Sequence, residues 1–224
     1  MMIDPRTFDF LSGLKANNTK EWFKDHRADY EDAKANLVEV AAKLTAEVAR
    51  FDEAIRQTGF DPAMAVTRMN RDMRFSKDKT PYKTDFFVMV RTSPHFQRIA
   101  GYSIHIEPGG SYASAGIFRT ERGPLSKIRD RISGRFAEWK AIVESPEVRR
   151  MFPDGFIAPN VLKNGPKGYD KDDPAIEYLK LEGFSLNHRM TDAEMSADGA
   201  LEEWVSAHRT ASPLVEFINK AVAG

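Results

Sequence analysis

The chain has 224 residues, 42% hydrophobic and 29% charged, the balance of a soluble globular protein rather than of a disordered tail or a coiled-coil rod. Its 33 basic and 33 acidic side chains cancel to a formal net charge of zero, so any preference for nucleic acid or membrane has to arise from a local patch. Cysteine is absent, which excludes disulfides, thiolate metal sites and a cysteine nucleophile.

A chain of this length buries about 70% of the surface that its unfolded form exposes, and no stretch reads as a flexible linker, so residues 1–224 are expected to form a single domain. The opening MMIDPRTFDF lacks the basic start and apolar core of a signal peptide. The best apolar run, Phe86 to Val90, is only strand-sized, so no membrane span and a cytoplasmic location are expected.

Taken in chain order, Thr7 to Leu14 predicts a short helix. Asn18 followed by Glu21 resembles a capping box, and from there Phe23, His26, Tyr30, Ala33, Leu37, Val40, Leu44, Val48 and Phe51 form one apolar seam on a long helix. His26 on that seam reads as a packed core histidine. The middle is β-rich: Val66–Met69, Phe86–Arg91, Tyr102–Glu107 and Tyr112–Phe118 have strand composition or alternation. Pro108-Gly109-Gly110-Ser111 joins the last two as a hairpin, which makes them antiparallel. After Gly123-Pro124 the stripe Leu125, Ile128, Ile132, Phe136, Trp139 and Val143 predicts a helix, and Pro146 starts another. Residues 153–174 read as a Pro/Gly loop, Pro174 to Leu181 as helical, Thr191 to Glu194 as a capped start, and Ser212-Pro213 as the opening of a last helix. The fold class is α+β: an antiparallel sheet of about four strands in the middle, flanked by a long N-terminal helix and C-terminal helices.

The densest chemistry lies in RMNRDMRFSKDKTPYK, residues 68–83. Arg68, Arg71, Arg74, Lys77, Lys79 and Lys83 stand against Asp72 and Asp78, six cations against two anions, a local surplus of four. Guanidinium groups grip phosphate or carboxylate through two nitrogens at once and lysines add point charge, so the segment reads as an anion cradle. Asn70 adds polar capacity, and Phe75 and Tyr82 offer aromatic faces that stack a base or support a guanidinium. An extended backbone puts Arg68, Asn70, Asp72 and Arg74 on one face and Arg71 on the other. The competing reading is a solvated loop whose aspartates are paired with its own arginines.

That run closely resembles the signature of a widespread family catalogued as a conserved domain of unknown function, domain of unknown function 2461. FLSGLKANNTKEWF, YSIHIEPGGSYASAGIF and PKGYDKDDPAIEYLK agree with the same family, so the likeness runs from about Phe8 to the final helix. The resemblance implies one compact unit and brings no established activity. Members of that family often carry a histidine where this chain has Asp173, so an imidazole at that position has no counterpart here.

His105 and Glu107, two apart on a predicted strand, project from one face and are candidates for a base and its orienting carboxylate, with Asp72 as a further proton carrier. Two ligands do not make a metal site, and no metal or cofactor is assigned. The competing reading is a polar strand face whose groups pair with neighbours. In the Pro/Gly loop, Lys167 is a candidate to close over an anion, next to Lys163 and Tyr169. Phosphate loops of the GxxxxGK type, GxGxxG, GxSxG and HExxH are absent.

Three readings stay open. One is a protein that binds, and in the enzymatic version acts on, a phosphorylated or other anionic small molecule. The second is a nucleic-acid-binding module using the same basic segment, ranked lower because of the zero net charge. The third is a structural or interaction protein with a self-paired charged loop.

Overall fold

The computed structural model describes residues 1–59, 61–72, 74, 77–92 and 98–223. The chain is mixed helix and sheet. Helix α1 (Pro5–Ala16) begins where the Asp4 carboxylate accepts the Arg6 amide and Pro5 fills the first turn. The long seam is two helices, α2 (Lys20–Asp25) and α3 (Arg27–Val48), broken at His26, whose φ of −105° and ψ of 26° leave the helical region. Thr19, not Asn18, caps α2: its hydroxyl accepts the Trp22 amide at 3.1 Å. A short helix α4 (Glu53–Thr58) follows.

Strands β1 (Phe86–Val90), β2 (Gly101–Ile106) and β3 (Tyr112–Ile117) lie where alternation placed them. Between β2 and β3 the Gly110 amide donates to the Glu107 carbonyl at 2.9 Å, and Gly109 takes the positive φ of 73° that the turn needs. Val66–Met69 is not a strand: Val66 makes a lone antiparallel bridge to Val88, and Asn70 another to Tyr82. The antiparallel sheet has five strands in the order β1-β2-β3-β5-β4, because β4 (Phe156–Ile157), in the stretch read as loop, pairs antiparallel with β5 (Phe184–Arg189), which lies between the helical stretches read at 174–181 and from Thr191.

The stripe from Leu125 to Val143 is likewise two helices, α5 (Arg122–Gly134) and α6 (Phe136–Val143), followed by α7 (Pro146–Met151) as predicted. Short helices α8 (Ile176–Leu179) and α9 (Asp192–Met195) precede α10 (Ala200–Ala223). Pro213 sits inside α10 rather than opening it. A proline there cannot donate to the carbonyl four residues back, and the Ser212 hydroxyl donates to that Arg209 carbonyl instead, at 2.9 Å. No helix among the described residues is long and apolar enough to cross a membrane.

The fold forms two compact units. The first comprises residues 1–90, 103–113 and 189–205; the second comprises 91–102, 114–188 and 206–224. In the first, Leu11, Leu14, Leu37 and Leu44 are fully buried, and Phe23 joins Phe10, Tyr30 and Tyr82 in an aromatic cluster. In the second, the fully buried Trp139 meets Phe156, Phe184 and Phe217 at ring-centroid distances of 5.2 to 5.5 Å. Here β3 crowds β5 at Gly116, which has a φ of 117° and where a Cβ would fall 2.1 Å from the Phe184 carbonyl oxygen. Gly116→Ala therefore has to distort both strands, and urea unfolding should show a loss of about 2–4 kcal/mol.

Candidate functional site

The basic segment closes on itself as a loop. The Arg71 amide donates to the Pro81 carbonyl at 3.0 Å and the Lys83 amide to Met69 at 2.7 Å, on either side of the Asn70–Tyr82 bridge. Its base is held from outside: Asn18 Nδ2 donates to the Tyr82 carbonyl at 2.9 Å, Asn18 Oδ1 accepts the Tyr82 amide at 3.1 Å, and the Tyr82 ring stacks on Phe23 at 4.0 Å. Alternation holds along the incoming limb, where Arg68, Asn70 and Asp72 are exposed, Met69 is buried and Arg71 is half-buried.

Both aspartates of the loop are engaged. Arg74 forks the Asp72 carboxylate, Nε to Oδ1 at 2.9 Å and Nη2 to Oδ2 at 2.6 Å, which holds that carboxyl below its ordinary range. Arg71 Nη1 donates to the Asp78 carboxylate and to the Thr80 hydroxyl. The Thr80 amide donates to Asp78 at 2.9 Å, and this bond together with Arg71 pulls the Asp78 carboxyl down to about 2. Arg74, Lys77 and Lys79 are exposed and Lys83 is half-buried; Phe75 lies outside the described residues.

His105 pairs with its neighbours, as on a polar strand face, but out of contact with water. It is buried, packed between the rings of Phe87 at 4.4 Å and Tyr112 at 4.6 Å. Nδ1 lies 3.3 Å from the Gly110 carbonyl and Nε2 lies 3.1 Å from Asp85 Oδ2, with Glu107 Oε2 at 4.0 Å. Both hydrogen-bonding partners, the Gly110 carbonyl and the Asp85 carboxylate, are acceptors. Glu107 Oε1 is 3.6 Å from Lys15 Nζ. Burial first, then the negative charges of Asp85 and Glu107, push the Tyr112 hydroxyl up.

His105 and Glu107 therefore meet, as their spacing predicted, but the imidazole has both nitrogens committed, and the more accessible groups are the two carboxylates. Among the described residues, no hydrogen bond or ion pair joins Asp72 to that pair. Lys167 is exposed and belongs to the second unit, where the neighbouring Tyr169 hydroxyl donates to Asp130 at 2.6 Å. Asp173 accepts the Ser133 hydroxyl at 2.5 Å and the Ala175 amide at 2.7 Å, a structural employment. Among the described residues, no group of three or more His, Asp or Glu is placed to hold a metal ion. Asn18, Asp85, Lys15 and Tyr112 are the participants that sequence reasoning missed. Tertiary packing brings them to the motif residues, through α1 and the turn after it for Lys15 and Asn18 and through the strands for Asp85 and Tyr112, and no local spacing announces it.

A family model described as a conserved hypothetical protein matches residues 6–217. The chain belongs to DUF2461. Searches of curated proteins and of solved structures returned no match. Three stretches by which the sequence resembled DUF2461 supply the contacts above: Lys15, Asn18 and Phe23 from the first, Asp72 to Lys83 from the second, His105 and Glu107 from the third.

Asn18→Ala deletes two hydrogen bonds to one peptide unit and should cost about 1–3 kcal/mol, with faster proteolytic nicking between residues 72 and 80 than in the parent. An unchanged nicking rate would show that the clasp does not hold the loop. A second prediction follows from Asp78, whose folded carboxyl sits below its unfolded value. Its bracing is complete above pH 4 and is lost as pH falls through about 2. Nicking of the loop should rise over that acid range in the parent, and in Asp78→Asn it should already be fast at neutral pH.

Proposed function

We propose that DUF2461, in this chain, binds a phosphorylated or otherwise anionic small molecule at the basic loop between Arg68 and Lys83. The observation that carries this reading is the charge match inside the loop. Asp72 is taken by Arg74 and Asp78 by Arg71, so the two anions cancel two of six cations. Arg68, Lys77 and Lys83 take part in no ion pair among the described residues, and Lys79 adds a further charge. The internal pairs also stiffen the loop, which lowers the ordering cost that an incoming anion has to meet.

Asn70 and Tyr82 flank the charges. An enzymatic version assigns proton carriage to Glu107, oriented with Asp85 by His105, since Asp72 is held by its arginine. A cytoplasmic location belongs to the same proposal. The exposure of Arg68, Asn70, Lys77 and Lys79 favours a second reading, an open stripe that tracks a nucleic-acid backbone.

The test is thermal unfolding with pyrophosphate, ATP and a sugar phosphate, in parallel with single-stranded DNA binding. A small-anion site should raise Tm by roughly 3–5 °C at ten times Kd, and Arg68→Gln/Lys77→Gln/Lys83→Gln should abolish the rise without lowering the unliganded Tm. Nucleic-acid binding would instead weaken with salt, at a slope of about −0.7 per phosphate contacted. If no anion binds, the loop is a self-paired structural tie.

A further inference from the structure

The first unit also holds a cleft of ≈ 470 Å³ between α1 and the α2–α3 break, a size within the ordinary range for small-molecule sites. Its character is opposite to that of the basic loop. Asp4, Asp9, Asp29 and Asp32 line it against a single guanidinium, that of Arg6. Arg6 is spent mainly on Asp4, with Nη2 2.5 Å from Oδ2, and reaches Asp32 only at 3.7 Å. Asp9 and Asp29 are exposed at the rim and form no ion pair among the described residues.

The wall is aromatic. Trp22 and His26 stack in parallel at 3.8 Å, and Phe10 lies 5.9 Å from the indole. This wall is built by two local departures from a plain helix. The break at His26 turns its ring onto Trp22, and Gly13 gives the indole room, since a Cβ there would lie 2.8 Å from Trp22 Cζ2. His26 Nδ1 sits 2.9 Å from the Trp22 carbonyl, which only accepts, so Nδ1 donates and Nε2 is left as an acceptor in the neutral ring.

An independent sign of a ligand comes from Thr7. It lines the cleft, it is fully buried, and its hydroxyl has no hydrogen-bond partner among the described residues. A buried hydroxyl in that state is an acceptor that a ligand N–H would satisfy.

We infer that this cleft binds an organic cation, an ammonium or guanidinium group. Carboxylates at the rim supply the charge complement, aromatic faces attract a cation that sheds water more readily than a metal ion, and Thr7 and His26 accept its N–H donors. A divalent metal does not fit, because no three carboxylate or imidazole groups among the described residues converge closely enough to coordinate one. The same chemistry arrives on a free small cation such as agmatine or spermidine, or on an arginine or lysine side chain of a peptide.

Tryptophan fluorescence reads the site, because Trp139 and Trp204 are fully buried and only Trp22 is partly accessible. Agmatine, spermidine and an arginine-rich peptide should each be titrated into the full chain by fluorescence and calorimetry, against NaCl and MgCl2 at matched ionic strength. Saturable binding is expected for at least one, weakened about tenfold or more in Asp29→Asn/Asp32→Asn. Trp22→Phe should remove the optical signal while calorimetry still detects binding. Response to agmatine or spermidine assigns a free metabolite, and response to the peptide alone assigns a protein side chain. The triple substitution in the basic loop should leave this binding intact, which separates the two sites. No saturation with any probe, equal response to the salts, or a double variant that binds like the parent would overturn the assignment.

Discussion

The arrangement of the functional region rests on the clasp between Asn18 and the Tyr82 peptide. A loop carrying six cations repels itself, and its closure has to be held by contacts that the repulsion cannot easily open. The side-chain amide of Asn18 satisfies both the N–H and the C=O of one residue, as a partner strand would, while Phe23 stacks on the Tyr82 ring. The loop's own aspartates then take the nearest guanidinium groups. Closure and pairing are thus separate tasks: Asn18 and Phe23 fix the base, and Asp72 and Asp78 take up Arg74 and Arg71.

Burial of His105 follows from the same strand pairing. Ile104 and Ile106 fill one face of β2, and His105 on the other face is covered by Phe87 and Tyr112 instead of water. A buried imidazole needs partners at both nitrogens, and the Gly110 carbonyl and Asp85 provide them. The consequence for chemistry is a change of role. The ring is a strut between the Gly110 carbonyl and the Asp85 carboxylate, and the more accessible groups beside it are the carboxylates of Asp85 and Glu107.

Much of this was legible in the sequence because it depends on periods. Alternation placed β1, β2 and β3, the Gly-Gly pair placed their hairpin, and the extended limb from Arg68 sorted its side chains correctly by face. The misses share one cause: a local pattern read without the tertiary partner that overrides it. Asn18 has the spacing of a cap, yet its amide is worth more against Tyr82, and Thr19 does the capping. Ser212-Pro213 reads as a helix start, but the serine hydroxyl repairs the bond that the proline breaks. Strand β5 escaped because the alternation begun by Phe184 and Leu186 dissolves into the polar run Asn187 to Arg189, and its place depends on Gly116 letting the backbones approach. His26 continued the apolar seam in its spacing, but its backbone angles break the helix and its ring is half-buried at the cleft instead of packed in the core.

The zero net charge conceals the most informative property of the first unit. At physiological salt, electrostatic influence between exposed charges fades over about 8 Å, so a ligand responds to the patch that it approaches and not to the sum over the chain. The cations of residues 68–83 and the aspartates beside Trp22 and His26 lie in separate structural settings, one a loop with its own anions spent, the other a cleft with one guanidinium against four carboxylates. Cancellation between them exists only in arithmetic. A composition that excluded a global field was therefore compatible with two local ones of opposite sign, and each has to be judged by what its own geometry leaves unpaired.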